Sequence, residues 1–189
     1  MLEDSIVKKT IAVLKKYFHV YLEVWSCDKT NRIDAVIQCR ESGVYFGIEF
    51  KHNDKKTGKD LGALILQVRR YNTTKFSKCN DIIPIFIAPP ISVEMFICPE
   101  ESIISEGHIY YRDRHSLEHE HHTVNGMLGS LGMGEIRNIR YSRGNYFIFS
   151  YSNKVIWTSK KDYHTQKPKG LHQENYHKLI TKIRNGNYI

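Results

Sequence analysis

The residues best suited to chemistry are two acids and an amine in residues 33–51. Asp34 lies in the apolar run RIDAVIQC, and Glu49 and Lys51 end the run VYFGIEFK. Carboxylates can bind a hard cation, and an amine can hold or deprotonate a water. Because an unpaired charge is costly among apolar neighbours, the trio predicts a functional site. The alternative is a cross-strand salt bridge on an exposed face.

A β-hairpin must position these groups, with its turn at residues 41–43. The period of two places Glu49 and Lys51 on one face of the second strand, together with Tyr45 and Gly47. The opposite face is apolar and carries Val44, Phe46, Ile48 and Phe50. Before the hairpin, the spacing of apolar residues predicts a helix over 2–18, and weak alternation predicts a strand over 19–26.

A second helix is predicted over 60–73, with a core stripe of Leu61, Leu64, Ile65 and Val68. Gln67 and Tyr71 are neighbours on this helix at i and i+4, beside the stripe. The alternative for this pair is a polar helix flank and a half-buried aromatic. Arg69 and Arg70 are predicted to point away from the core.

The remaining elements complete an α/β chain with a mixed sheet. Apolar strands are predicted over 82–88, 94–98 and 108–111, although Pro84 interrupts the hydrogen bonding of the first. Residues 124–134 are glycine-rich and predict a flexible connection or a short helix. Residues 135–159 alternate and predict three antiparallel strands, followed by a lysine-rich loop over 160–170. A closing helix spans 172–185, with Gly186 as its stop.

Charge is distributed in blocks. The net charge is +8, with eight basic and two acidic residues in 51–78 and eleven and two in 137–189. If the basic blocks converge, they form one groove for a phosphate backbone; otherwise they are solvated faces. The candidate nucleic-acid-binding residues are Lys55, Lys56, Lys59, Arg69, Arg70, Arg137, Arg140 and Arg143. For the three C-terminal arginines, a basic exposed sheet face is an equal alternative.

Over residues 1–98 the chain resembles the PD-(D/E)XK, or restriction-endonuclease-like, nuclease superfamily. Asp34 followed by Glu49-x-Lys51 on adjacent strands matches its motif, and Gln67-x-x-x-Tyr71 is similar to the QxxxY motif of its RecB-like and lambda-exonuclease-like branches. The early helix acid Glu3 is similar to that of Holliday-junction resolvases. The resemblance implies a restriction-endonuclease-like core, a central mixed sheet flanked by helices, to which a β-rich antiparallel extension and a closing helix are added.

The resemblance also implies roles for these residues. Asp34, Glu49 and the backbone carbonyl of Phe50 would bind Mg²⁺ or Mn²⁺, with Glu3 as a further ligand and Asp4 as its substitute. Lys51 would hold or deprotonate the attacking water. Gln67 would orient a water of the metal site or a nucleotide, and Tyr71 would contact the substrate backbone or brace Gln67.

Two departures limit the resemblance. Ile33 stands where the motif has proline, which the family tolerates. The clustered cysteines of iron–sulfur nucleases are missing, because Cys27, Cys39, Cys79 and Cys98 are scattered; we expect no iron–sulfur cluster.

The spacing of His115 and His119 would suit two zinc ligands on a helix, but no second ligand pair accompanies them, and a mobile polar loop is favoured.

The sequence therefore predicts a metal-dependent deoxyribonuclease, with endonuclease or nickase activity favoured over a processive exonuclease. A non-catalytic DNA-binding module with a degenerate nuclease fold and an RNA-directed nuclease remain alternatives. Three segments are expected to form one compact domain: a core over 1–98, an acidic connection over 99–134 and a basic extension over 135–189. We expect an intracellular, cytoplasmic protein without a membrane role, with homodimerisation left open. Small nucleases of this type resemble products of phages or mobile elements.

Overall fold

The computed structural model describes residues 2–50, 58–88, 103–105, 108–110, 125–141 and 144–186. For residues 2–6, 9, 58–61, 103–105, 108–110, 138–141 and 144–145 the description covers the backbone only. The elements in chain order are α1 (Leu2–Leu14), β1 (Phe18–Trp25), β2 (Arg32–Cys39), β3 (Tyr45–Phe50), α2 (Gly58–Tyr71), β4 (Ile85–Ala88), β5 (Ile103–Ser105), β6 (His108–Tyr110), α3 (125–130), β7 (Gly134–Tyr141), β8 (Gly144–Tyr151), β9 (Lys154–Lys161), β10 (Pro168–Leu171) and α4 (Gln173–Arg184).

One mixed sheet organises the chain. Its eight strands run in the order β1-β2-β3-β4-β7-β8-β9-β10 and curl into a half-barrel. The β3–β4 and β4–β7 pairs are parallel, and the other neighbours are antiparallel. The predicted α/β class with a mixed sheet is therefore confirmed. Strands from residues 1–98 and from 135–189 lie in this one sheet, while β5 and β6 form a separate hairpin.

Apolar side chains cover both faces of the sheet. On one face, Leu14 of α1 and Leu179 and Ile183 of α4 pack with Phe46 and Ile48. The rings of Phe18, Phe46, Phe86, Phe149 and Trp157 make tilted and edge-to-face contacts in this layer. On the other face, Leu64 and Val68 of α2 and Leu128 of α3 pack with Val36, Ile85, Ile87 and Met133. The alternation predicted for the second hairpin strand is confirmed.

Several predicted boundaries were wrong. Helix α1 ends at Leu14 instead of residue 18, because Phe18 is fully buried in strand β1 against Trp157. Strand β4 begins after Pro84, which cannot donate a ladder hydrogen bond. The segment predicted as a loop over 160–170 contains the end of β9 and most of β10, which pair with each other.

Other expectations on secondary structure are confirmed. The three C-terminal antiparallel strands are β7, β8 and β9, and the short helix within 124–134 is α3. The core stripe of α4 is buried, and Gly186 follows the helix with a φ of 69°. The predicted strand over 94–98 and the histidine segment 112–122 lie outside the described residues. No helix in the described ranges is long and apolar enough to cross a membrane.

Candidate functional site

The β2–β3 hairpin carries Asp34 and Glu49 on neighbouring strands. The ladder between these strands ends at the pair of Ala35 with Ile48, and Asp34 and Glu49 are the next residues of the two strands beyond it. Glu49 is 3% exposed, and Asp34 is half-buried. The backbone N–H of Phe50 donates a hydrogen bond of 2.7 Å to Oδ2 of Asp34. The two acids singled out by the sequence are thus brought together.

Gly47 explains how β3 packs beside this pair. A Cβ at this position would lie 2.6 Å from Cδ1 of Ile85 and 2.8 Å from Cδ1 of Ile33. Both isoleucines belong to the layer beneath α2. Only glycine lets these side chains close over the strand two residues before Glu49.

Helix α2 supplies the polar partners. Nε2 of Gln67 donates hydrogen bonds of 2.8 Å to Oε1 of Glu49 and of 2.8 Å to the hydroxyl of Tyr71. The Tyr71 hydroxyl in turn donates a hydrogen bond of 2.6 Å to the carbonyl of Arg32. The predicted contact between Gln67 and Tyr71 is confirmed. The result is a connected chain from Glu49 on β3 through Gln67 and Tyr71 of α2 to the backbone of β2.

The phenol of Tyr71 stays protonated over the physiological range. Burial above all, together with the negative charges of Glu49 and Asp34, raises its pKa to about 12, although the hydrogen bond from Gln67 and the positive charge of Arg70 act in the opposite direction. Tyr71 therefore donates a hydrogen bond to the carbonyl of Arg32 and accepts one from Gln67. It is not a base at neutral pH.

The donor set of this site fits a divalent cation. Asp34 and Glu49 are hard oxygen ligands of the kind that Mg²⁺ and Mn²⁺ prefer. The hydrogen bonds from the Phe50 N–H and the Gln67 amide come from neutral donors, so neither of them neutralises a carboxylate. Within the described ranges no group of three or more His, Cys, Asp and Glu side chains could hold a metal. The pair would therefore need a further ligand from outside these ranges or from water.

The other predicted site residues are only partly described. Lys51, Lys55 and Lys56 lie outside the described residues, as does Arg143. Glu3, Lys59 and Arg140 lie in α1, α2 and β7, where only the backbone is described. Arg69 and Arg70 are exposed on the last turn of α2, as predicted. Arg70 precedes Tyr71 in the helix, and its positive charge acts to lower the pKa of that phenol.

Arg137 is placed differently from an exposed basic side chain. It lies on β7, two residues after Glu135 and on the same face, and it is half-buried. Its Nε has no hydrogen-bond partner among the described residues. Burial lowers the pKa of the guanidinium, while the charge of Glu135 opposes this shift.

A second buried acid was not among the sequence candidates. Glu135 is 0% exposed and accepts a hydrogen bond of 3.0 Å from Nδ2 of Asn125. The same Nδ2 lies 3.3 Å from the hydroxyl of Ser150, and Oδ1 of Asn125 accepts a 2.7 Å hydrogen bond from the Asn153 N–H. This cluster ties the start of α3 to β7 and to the turn between β8 and β9. In the local sequence, this cluster is marked only by a charged residue, Glu135, at the start of an alternating strand.

No protein-family model, curated protein or solved structure matches this chain. The functional inference therefore depends on the geometry of Asp34, Glu49, Gln67 and Tyr71 and on their resemblance to a nuclease motif.

Proposed function

We propose that the protein is a metal-dependent deoxyribonuclease with a restriction-endonuclease-like core, acting as an endonuclease or nickase. The observation that carries the proposal is the hydrogen-bonded chain that joins Glu49 to Gln67 and Tyr71 beside Asp34. A role in stability alone would not account for two carboxylates on neighbouring strands, since like charges close together are unfavourable.

Each side chain has a defined part in this proposal. Asp34, Glu49 and the carbonyl of Phe50 would hold Mg²⁺ or Mn²⁺. The bound ion would activate a water and stabilise charge on the scissile phosphate. Gln67 holds the carboxylate of Glu49 in one orientation through its amide, and Tyr71 fixes Gln67. Lys51, two residues after Glu49 in the sequence, would hold or deprotonate the attacking water.

The charge distribution supports a nucleic-acid substrate. The chain carries a net charge of +8, which favours binding of a polyanion. Arg69 and Arg70 are exposed at the end of the helix that supplies Gln67 and Tyr71. Two cations therefore lie on the element that borders the acid pair, where a phosphate backbone would approach.

The test is incubation of supercoiled plasmid with Mg²⁺ or Mn²⁺, comparing wild type with Asp34→Asn, Glu49→Gln and Lys51→Ala. We expect wild type to convert the plasmid to nicked or linear forms and the three variants to lose this activity. A matched control is Glu174→Gln, which neutralises an exposed glutamate paired with Lys178 on α4. This control should cut at the wild-type rate.

Other outcomes separate the alternatives. Equal cutting by wild type and all variants would contradict the assignment of these residues. Salt-dependent binding without cutting under every metal would favour a non-catalytic DNA-binding module. Labelled RNA and DNA of one sequence, offered in parallel, distinguish a ribonuclease from a deoxyribonuclease.

A further inference from the structure

We infer that Arg137, Tyr146 and Lys160 together bind a backbone phosphate of the nucleic acid, close to the acid pair but separate from it. The position of this phosphate relative to the cut bond rests on the proposed function. The binding of the phosphate can be measured without catalysis.

Arg137 lies at the same end of the sheet as the candidate site. Strands β3, β4 and β7 are parallel, and the register pairs both Glu49 and Glu135 with Ile87. Arg137 follows Glu135 by two residues on the same face, level with the carboxyl ends of β3 and β4. Two strand spacings and two residues along the strand separate the backbones of Glu49 and Arg137 by about 12 Å. Ligands of α/β sheets bind at the carboxyl ends of parallel strands.

Tyr146 connects Arg137 to Lys160. The register pairs Arg137 with Ile148, so Tyr146 is its diagonal neighbour on the same face. The two side chains are close enough that Tyr146 acts electrostatically on the pKa of Arg137. On the other side, the ammonium of Lys160 lies 5.7 Å from the centre of the Tyr146 ring. The phenol therefore lies between two cations, one on β7 and one on β9.

The environment of Arg137 favours an anion. The side chain is half-buried, and its Nε is buried without a hydrogen-bond partner among the described residues. Glu135 offsets part of the cost of this burial through its charge, and it accepts its own hydrogen bond from Asn125. A desolvated guanidinium gains from a ligand that supplies charged acceptor oxygens. The planar guanidinium matches the geometry of phosphate oxygens.

The surroundings of Lys160 favour a polyanion as the source of that phosphate. Lys160 is exposed at the carboxyl end of β9, where the hairpin with β10 begins. Residues 154–171 contain five lysines and a single acid, Asp162. Cations concentrated in this way repel one another unless a polyanion neutralises them. The other exposed lysines of the hairpin end of β9 and β10 are Lys161, Lys167 and Lys169.

Salt dependence of DNA binding tests the site in EDTA, where no cutting occurs. The affinity for a labelled DNA duplex is measured by fluorescence anisotropy between 50 and 200 mM NaCl. We expect Arg137→Gln and Lys160→Gln each to weaken binding. The double variant should lower the slope of log K against log salt by about 0.9, the value for one phosphate. A decrease of about 1.8 would mean two separate phosphates and would overturn the shared site.

Lys154→Gln is the matched control, because Lys154 is an exposed lysine on the same strand but at its amino end. It should keep the wild-type slope. Circular dichroism verifies that each variant is folded. Arg137→Lys retains the positive charge and should keep most of the slope. If Arg137→Gln does not fold, the exposed Lys160 still provides the readout through Lys160→Gln alone.

Neutral linkages locate the phosphate relative to the cut. A methylphosphonate removes the charge of one phosphate, and it is placed at successive positions along a cleavable strand. At about 3.4 Å per nucleotide, 12 Å corresponds to roughly three to four nucleotides. Wild type should show a raised KM with unchanged kcat when the neutral linkage lies at that distance from the cut. Lys160→Gln should be insensitive to the linkage there, because its phosphate contact is already weakened.

The outcomes separate this inference from the proposed function. Wild-type slopes in Arg137→Gln, Lys160→Gln and the double variant, or no DNA binding by wild type, would overturn the phosphate site. Cleavage by wild type with unchanged slopes would leave the nuclease function standing. A reduced slope without cleavage in any metal would support the phosphate site and contradict only the nuclease function.

Discussion

Glu49 and Glu135 are two buried glutamates on the same face of one sheet. The register pairs both with Ile87, which lies between them on β4. Their exposures are 3% and 0%. Glu49 accepts a hydrogen bond from Gln67 and has half-buried Asp34 on the neighbouring strand, whereas Glu135 accepts a hydrogen bond from the amide of Asn125 and its charge acts on Arg137.

The difference shows that burial of an acid does not by itself identify a site. Asn125 connects Glu135 to Ser150 and to the Asn153 backbone, so that one polar cluster fastens α3 to two strands and a turn. Glu49 has a second carboxylate on the neighbouring strand, and the helix that supplies Gln67 carries the exposed Arg69 and Arg70 in its last turn. We interpret Glu135 as structural and Glu49 as functional.

The largest expected difference between substitutions of Glu49 and Glu135 is in the rate of DNA cleavage. Glu49→Gln keeps the size of the side chain but removes a charged ligand, and we expect plasmid cutting to fall at least about a hundredfold. Glu135→Gln is the matched change on the same face and should cut at the wild-type rate. Rates of plasmid nicking under saturating Mg²⁺ measure both. Equal losses of plasmid cutting in Glu49→Gln and Glu135→Gln would contradict the different roles assigned to the two acids.

The stability of the protein should depend more on Asn125, which binds Glu135, than on Gln67, which binds Glu49. Asn125→Ala leaves Glu135 and the Asn153 N–H without their described partner, and we expect the free energy of unfolding to fall by about 2–4 kcal/mol. Gln67→Ala removes a half-buried side chain and should cost about 1 kcal/mol. Urea unfolding of both variants checks the order. A larger loss of stability for Gln67→Ala than for Asn125→Ala would contradict our assignment of the structural role to the Glu135 cluster.

Local sequence patterns were sufficient to predict the secondary structure around Glu49 and the contact between Gln67 and Tyr71. The second strand of its hairpin alternates in hydrophobicity, and the helix that supplies Gln67 and Tyr71 has a clear apolar stripe. These signals are read within a few residues, and the i, i+4 spacing then predicts the contact that is observed.

The Glu135 cluster depends on pairing between distant parts of the chain. Nothing local indicates that β7 lies parallel to β4, which brings Glu135 beside Ile87. Strand β10 was missed for a related reason. Its sequence PKGL has little strand propensity, and Gly170 has a φ of 66° at an irregular register, so pairing with β9 decides its structure.

Alkaline pH should reveal the environment of Tyr71. Above pH 10 the phenol ionises in the unfolded chain, while burial keeps it protonated in the folded protein up to about 12. The unfolded state then binds fewer protons, so stability falls as pH rises, by at most about 1.4 kcal/mol per pH unit. Tyr71→Phe should lack this component when urea unfolding is compared near pH 9 and pH 11. Tyr163→Phe, an exposed control, should keep the wild-type slope.

The smallest expected effect is on the Tm, and it tests whether the acid pair lowers the stability of the protein in the absence of a metal. Asp34 and Glu49 are like charges on neighbouring strands, which is unfavourable by about 0.2–1 kcal/mol. Glu49→Gln should therefore raise the Tm slightly in EDTA, by at most about 4 °C. Mg²⁺ should stabilise wild type, because it binds the folded state, and should have less effect on this variant. Glu135→Gln should respond to Mg²⁺ as wild type does. An unchanged or lower Tm for Glu49→Gln in EDTA would show that the two charges are already compensated within the protein, and the acid pair would then be an ordinary part of the fold.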